Sequence, residues 1–155
     1  MKKFEFRLEP LLNLKEQEEK NIQKELLKLR KNYNQLKEKL ADYEQDKKNW
    51  QHELSDEQET GINTKDLLKY RNYIDYLNNQ IKETKLEMDY WREKIEECQE
   101  RLLAKVKEKK KLSKLKEKEY EAHWEEFIQE ERKESDEIAT NNYNHKSDKT
   151  HGSIF

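Results

Sequence analysis

The stretch that decides the fold is residues 67–102, LLKYRNYIDYLNNQIKETKLEMDYWREKIEECQERL. Its apolar residues recur at alternating spacings of three and four, and only Thr84 interrupts the series if Cys98 counts as a small hydrophobe. The series is Leu67, Tyr70, Ile74, Leu77, Ile81, Thr84, Met88, Trp91, Ile95, Cys98 and Leu102. This heptad spacing predicts a helix with one narrow apolar seam that pairs with another helix.

A second seam with the same spacing precedes it, from Leu8 to Leu54. Between the two seams lies Gly61, the only interior glycine, and Asn63 or Thr64 can cap a following helix. The sequence therefore predicts an all-α fold, a long antiparallel two-helix coiled-coil hairpin within residues 1–140. Helix one covers about 8–57, the turn about 58–64 and helix two about 65–137, with a disordered tail over 141–155.

If helix two folds back on helix one, the two seams pair in a register that places Trp50 near Tyr70 and Leu26 near Ile95. Beyond Leu102 the apolar residues fall out of phase, which suggests a four-residue stutter. Helix one ends first in this register, so the end of helix two carries apolar residues with no intramolecular partner. These are Tyr120, Trp124, Phe127 and Ile128, and an unpaired aromatic stripe indicates a partner site.

The composition limits the classes of function that we expect for this chain. The 155 residues are 44% charged and 32% hydrophobic, with two glycines, one proline and a net charge of −2. Strong helix formers dominate, and no phosphate-binding loop, nucleophile elbow or metalloprotease motif is present. We therefore expect no enzyme activity, no cofactor and no metal. The single cysteine, Cys98, is expected to be a buried seam residue, and no segment is apolar enough to span a membrane.

Charge is divided along the end of helix two. Lys105–Lys118 contains eight lysines and two glutamates, whereas Glu119–Glu137 contains nine acidic and two basic residues. The lysines are expected to lie opposite acidic residues of helix one, near Glu16, Glu18 and Glu19. The acidic segment, with its aromatic residues, indicates a docking element for a basic, apolar partner surface.

Three parts of the sequence resemble the flagellar FliJ family. They are the opening Phe4-x-Phe6-Arg7-Leu8-x-x-Leu11-Leu12-x-Leu14-Lys15, the Gly61-Ile62 reversal followed by Tyr70-x-x-Tyr73-Ile74-x-x-Leu77-x-x-x-Ile81, and the charged ending from Leu115 to Ala139. The resemblance implies a non-enzymatic cytoplasmic stalk of the flagellar type III protein export apparatus, peripheral at the inner membrane. The implied partners are the hexameric export ATPase, the membrane export-gate protein and the export chaperones, with no nucleic acid.

Two partner surfaces follow from that resemblance. The surface facing the ATPase ring would comprise Phe4, Phe6, Leu8, Leu11, Tyr120, Trp124 and Phe127. The surface facing the export gate, near the turn, would comprise Tyr70, Tyr73, Leu77 and Ile81, with Tyr73 and Tyr76 expected to be more exposed than Tyr70. The alternatives are a generic oligomeric coiled-coil scaffold, the stalk of a virulence-type secretion system, and an RNA-binding arm that uses Lys105–Lys118.

Overall fold

The fold is built from two long helices that pack against each other. The computed structural model describes residues 3–152, and side chains over 3–145. Helix α1 spans Glu9–Thr60 (52 residues) and helix α2 spans Thr64–Gly152 (89 residues). Within residues 3–152 there is no β-strand. The predicted all-α helical hairpin is confirmed.

The reversal between the helices is three residues long, Gly61–Asn63. Gly61 has a φ of 98°, a left-handed conformation that glycine adopts without steric cost. Asn63 then caps α2, because its side-chain oxygen accepts a hydrogen bond of 2.8 Å from the backbone N–H of Asp66. The observed turn is shorter than the predicted 58–64, since α1 continues to Thr60.

The chain divides into two compact units, to each of which both helices contribute. The hairpin unit is Gln17–Val106, and the terminal unit is Met1–Glu16 together with Lys107–Phe155. In the hairpin unit, Ile22, Leu26 and Cys98 form a buried cluster flanked by Leu29, Ile95 and Leu102. Leu26 and Ile95 thus lie in one cluster, as the predicted register requires.

Near the turn the hairpin unit carries a second group of internal contacts. The rings of Trp50 and Tyr70 are edge-on at a centroid distance of 5.3 Å, so this predicted pair is confirmed. Further from the turn along α2, Leu77 is 1% exposed, and Thr84 and Met88 are also buried. The seam that was read from sequence is therefore the inner face of α2 in this unit.

The terminal unit is assembled differently. Phe6 and Leu12 are buried, and ion pairs of 2.9 Å join Lys15 to Glu108 and Lys116 to Glu9. Buried and half-buried positions of α2 keep the same spacing of four and three without a shift, so the predicted stutter is wrong. These sites are Cys98, Leu102, Lys105, Lys109, Leu112 and Lys116. Long lysine stems occupy apolar positions while their charged ends reach carboxylates, which an apolar count cannot detect.

The C-terminal boundary of α2 also differs from the prediction. The sequence indicated an end near 137 and a disordered tail over 141–155, whereas the helix continues to Gly152. No glycine or proline lies between Asp136 and His151 to stop it. The last residues of the predicted tail, 153–155, lie outside the described part of the chain.

Candidate partner-binding surfaces

We call the first candidate the terminal surface: Phe4, Phe6, Leu8, Leu11, Tyr120, Trp124 and Phe127. All seven belong to the terminal unit. Tyr120 (52% exposed), Trp124 (46%) and Leu11 (38%) are available to a partner, whereas Phe6 is buried at 6%. Phe4, Leu8 and Phe127 are half-buried. Phe6 therefore supports this surface from within and does not form part of its contact area.

Aromatic contacts hold the terminal surface together. The ring of Phe4 packs edge-on against Tyr120 at a centroid distance of 5.3 Å and lies 5.6 Å from the ring of His123. The expectation that Tyr120 has no intramolecular partner is thus wrong. Trp124 contacts only Phe127 among described aromatic residues, at 5.4 Å along the same helix. The indole remains the largest exposed apolar group of the surface.

His123 is an unusual member of this cluster. Its Nε2 atom is enclosed by protein and has no hydrogen-bond partner among the described residues. An enclosed polar atom of this kind costs free energy relative to a solvated one. Sequence reading missed His123, although its spacing of seven from Lys116 places it on the inner row of α2.

We call the second candidate the tip surface: Tyr70, Tyr73, Leu77 and Ile81. Most of it is internal. Leu77 lies in the core, and Tyr73 packs on Trp50 at a centroid distance of 4.4 Å while its hydroxyl donates a 3.0 Å hydrogen bond to Asp46. Tyr73 is therefore half-buried, as is Tyr70. Tyr76 is 50% exposed, in agreement with the prediction.

The two tyrosines of the tip surface, Tyr70 and Tyr73, both have raised pKa values. The hydrogen bond to Asp46 raises the pKa of Tyr73, because the carboxylate accepts a hydrogen bond from the neutral phenol and would repel a phenolate. Partial desolvation, followed by the charge of Glu53, raises the pKa of Tyr70. Both phenols stay neutral near pH 7 and act as apolar rings with one hydrogen-bonding end.

The exposed apolar residues near this region are ones that sequence reading did not select. Leu68 is 54% exposed, Leu86 is 62% and Tyr90 is 54%. They lie off the heptad seam, on the outer face of α2. An apolar residue at such an off-seam position is the feature of the sequence that could have indicated an exposed apolar surface. Together with Tyr76 they are better placed for a partner than Leu77.

Ion pairs across the helices account for part of the lysine-rich block. In the hairpin unit, Lys105 pairs with Glu18 at 2.7 Å and Arg101 makes two hydrogen bonds to Glu25, at 2.8 and 3.1 Å. The bond from Arg101 lowers the pKa of Glu25, despite some desolvation that opposes it. Lys105 thus faces Glu18, one of the three acidic residues that the sequence placed opposite this block.

Among the described residues, no group of three or more His, Cys, Asp or Glu side chains could hold a metal ion. Cys98 is fully buried, its Sγ lies 3.7 Å from the backbone oxygen of Ile22, and burial raises the pKa of the thiol. In the part of the chain that the structure describes, no helix is long and apolar enough to cross a membrane.

Comparison with known proteins identifies the family. The family model described as Flagellar FliJ protein matches residues 4–148. No curated protein and no solved structure matches the chain. Because the model covers nearly the whole sequence, the chain belongs to the FliJ family and is a flagellar export-related protein.

Proposed function

We propose that this FliJ-family chain is the stalk of the flagellar type III export ATPase. The terminal surface would enter the hexameric ATPase ring and promote its activity. The outer face near the turn would contact the membrane export-gate protein, and the same chain would escort export chaperones. In this function the protein is cytoplasmic, is recruited to the inner membrane through the export apparatus, and contributes to flagellum assembly and hence to motility and chemotaxis.

One observation carries the proposal: Tyr120 and Trp124 are about half exposed in the unit that also contains both chain termini. Large aromatic side chains at an exposed helical surface are the residue types that dominate binding energy at protein interfaces. They sit in a strongly acidic helical segment, Glu119–Glu137, which suits a ring lumen with basic and apolar groups. Intramolecular pairing of Trp50 with Tyr70 favours this function over a scaffold with open helices.

The direct test measures ATP hydrolysis by the cognate export ATPase with and without this protein. We expect the wild-type chain to stimulate hydrolysis, and Tyr120→Ala with Trp124→Ala to remove most of that stimulation. The matched control is Leu27→Ala, an exposed leucine (66%) of the hairpin unit. Equal stimulation by wild type and the double variant contradicts the assignment of the terminal surface to the ring.

A second arm separates the two surfaces. Tyr76→Ala with Tyr90→Ala changes exposed side chains of the hairpin unit and leaves Tyr120 and Trp124 in place. We expect this variant to bind the export-gate protein more weakly while it still stimulates the ATPase. If gate binding instead falls with the Tyr120 and Trp124 variant, the proposed roles of the two surfaces are reversed.

A further inference from the structure

The two flanks of the seam in the hairpin unit differ in charge. On one flank, Arg101 of α2 makes two hydrogen bonds to Glu25 of α1, at 2.8 and 3.1 Å. Lys39 lies two heptads after Glu25, and Glu87 lies two heptads before Arg101. Because the helices are antiparallel, equal steps in opposite directions keep residues opposite each other, so this flank again sets a lysine against a glutamate.

The other flank gathers basic residues from both helices. Arg92 of α2 donates a 3.1 Å hydrogen bond to the hydroxyl of Tyr33, and its guanidinium carbon lies 5.8 Å from the centre of that ring. Arg30 and Lys37 lie three residues before and four residues after Tyr33, so they share its side of α1. Lys85 is one heptad before Arg92, on the same side of α2. We call Arg30, Lys37, Lys85 and Arg92 the basic flank.

Like charges face each other within the basic flank. Arg30 faces Arg92 in the antiparallel register. Lys37, one heptad further along α1, faces Lys85, one heptad back along α2. All four side chains are exposed. Arg92 pairs with Asp89 of its own helix at 3.3 Å, and no ion pair among the described side chains uses Arg30, Lys37 or Lys85. The facing cations repel each other, and an anionic partner would remove that repulsion.

We propose that the basic flank binds an acidic helix of a partner protein, which lies along the groove between α1 and α2. The two cations on each helix are one heptad apart, or about 10 Å at about 1.5 Å per residue. The same interval separates carboxylates at every seventh residue of a helix. A third helix with two rows of such carboxylates can therefore meet both rows of the basic flank at once. Charged residues beside a seam set partner choice in coiled coils.

Two features favour an acidic protein helix over a nucleic acid. Asp89 and Glu96 border the basic flank on α2, where they would repel the successive phosphates of a strand. The chain as a whole has a net charge of −2, which provides no long-range attraction to a polyanion. An acidic helix can place its carboxylates opposite the four cations and uncharged residues opposite Asp89 and Glu96.

This inference is independent of the proposed function. The basic flank lies wholly in the hairpin unit and shares no residue with the terminal surface. It also leaves Tyr76 and Tyr90, the residues chosen to test gate binding, unchanged. Failure of the experiment below would leave ATPase stimulation and gate binding unaffected, so the two proposals can fail separately.

The test measures binding of a labelled acidic peptide to the full chain by fluorescence anisotropy. The peptide has about 28 residues, enough to form a helix in isolation. Each heptad carries two glutamates four residues apart, with alanine and glutamine elsewhere, and a reference peptide has glutamine in place of every glutamate. At about 0.05 M salt we expect the glutamate peptide to bind at least about tenfold more tightly than the reference. Binding should be lost near 1 M, where the screening length is about 3 Å.

The decisive variant is Lys37→Glu, which should change binding and stability in opposite directions. The new carboxylate would face Lys85, so the midpoint of thermal unfolding should rise by about 1–3 °C. Affinity for the glutamate peptide should fall about tenfold. No charged residue of α1 lies three or four positions from Lys37, so the gain in stability reports on the facing helix.

The control variant is Lys28→Glu, which makes the same change in charge on α1. Lys28 is exposed and lies about 200° around the helix from Arg30, so binding should stay within about twofold of wild type. Equal losses of binding in Lys37→Glu and Lys28→Glu would overturn the proposal, as would equal binding of the two peptides to wild type.

Two other anionic ligands complete the test, a single-stranded oligonucleotide and vesicles that contain anionic lipid. If Lys37→Glu abolishes binding of either one while the glutamate peptide does not bind wild type, the basic flank serves a different anion and the proposal is wrong. Because a misfolded variant does not unfold at a higher temperature, loss of folding cannot mimic the expected result.

Discussion

The hairpin unit and the terminal unit use the same two helices but different interactions. In the hairpin unit, Leu77 and Cys98 are almost fully enclosed, and apolar side chains fill most of the seam, with Thr84 and Lys105 as exceptions. In the terminal unit, lysines take up seam positions and reach carboxylates on α1, and aromatic rings lie at the surface. The difference shows that one heptad spacing can serve two purposes. Apolar residues stabilise the pairing, whereas charged and aromatic residues leave a surface that other proteins can use.

The largest expected loss of stability follows from the removal of a core side chain of the hairpin unit. Leu77→Ala should lower the free energy of unfolding by about 2–5 kcal/mol, because the cavity that it leaves is enclosed. Leu27→Ala removes the same atoms from an exposed site and should change stability by less than about 0.5 kcal/mol. Urea denaturation followed by circular dichroism measures both. Equal losses would mean that burial does not distinguish these positions.

A smaller effect is expected in the terminal unit. Phe4→Ala removes the ring contacts with Tyr120 and His123 and should destabilise this unit by about 1 kcal/mol. Hydrogen exchange should show faster exchange of amides around Tyr120, with little change around Leu77. Tyr143→Ala, at an aromatic residue that is 74% exposed in the same unit, is the control. Slower exchange around Tyr120, or no change in its exchange rate, would contradict the packing role of Phe4.

Salt should act more strongly on residues 109–118 of the terminal unit than on residues 88–98 of the hairpin unit. The ion pairs of Lys15 and Lys116 weaken as the screening length falls from about 10 Å at 0.1 M to about 3 Å at 1 M. Amides of residues 109–118 should therefore exchange a few-fold faster in 1 M NaCl than at 0.1 M. Amides of residues 88–98, which include buried Met88 and Cys98, serve as the reference and should change little.

The smallest effect concerns one exposed ion pair of the hairpin unit. Glu25→Gln should cost about 0.5 kcal/mol at pH 7, since exposed pairs contribute little. The pKa of Glu25 is lowered in the folded state, so its contribution is present above the unfolded value of about 4.3. It is lost as the pH falls through the lower folded pKa, where variant and wild type should converge. Glu44→Gln, at another exposed carboxylate of α1, is the control for the loss of one negative charge.

The comparison between the units also explains which predictions succeeded. Regular spacing of apolar residues was sufficient for the two helices and for the pairing of Trp50 with Tyr70. The capped turn was predicted from Gly61 and from Asn63 or Thr64. The same spacing placed Leu77 in the seam, where it is buried. Its assignment to a partner surface came from the family resemblance and not from its position in the heptad.

The predictions that failed concern residues whose role is not indicated by a regular spacing of apolar residues. Phe4 lies in the irregular stretch before α1, so no helical spacing could indicate its contact with Tyr120, 116 positions later. Lys105 and Lys116 are polar by type but use their stems at seam positions, which produced the false stutter. The end of α2 had no glycine or proline signal before Gly152.

The three-residue turn at Gly61 has a consequence for the order in which the chain folds. Contacts beside it join residues close in sequence, such as Asp46 and Tyr73, 27 positions apart, whereas Ile22 and Cys98 are 76 apart. Closing a longer loop costs more chain entropy, so the transition state of folding should contain the contacts nearest the turn. Substitutions at Trp50 should slow folding, and those at Phe4 should mainly speed unfolding. The terminal unit, which carries the proposed partner surface, would then be the last part of the chain to form.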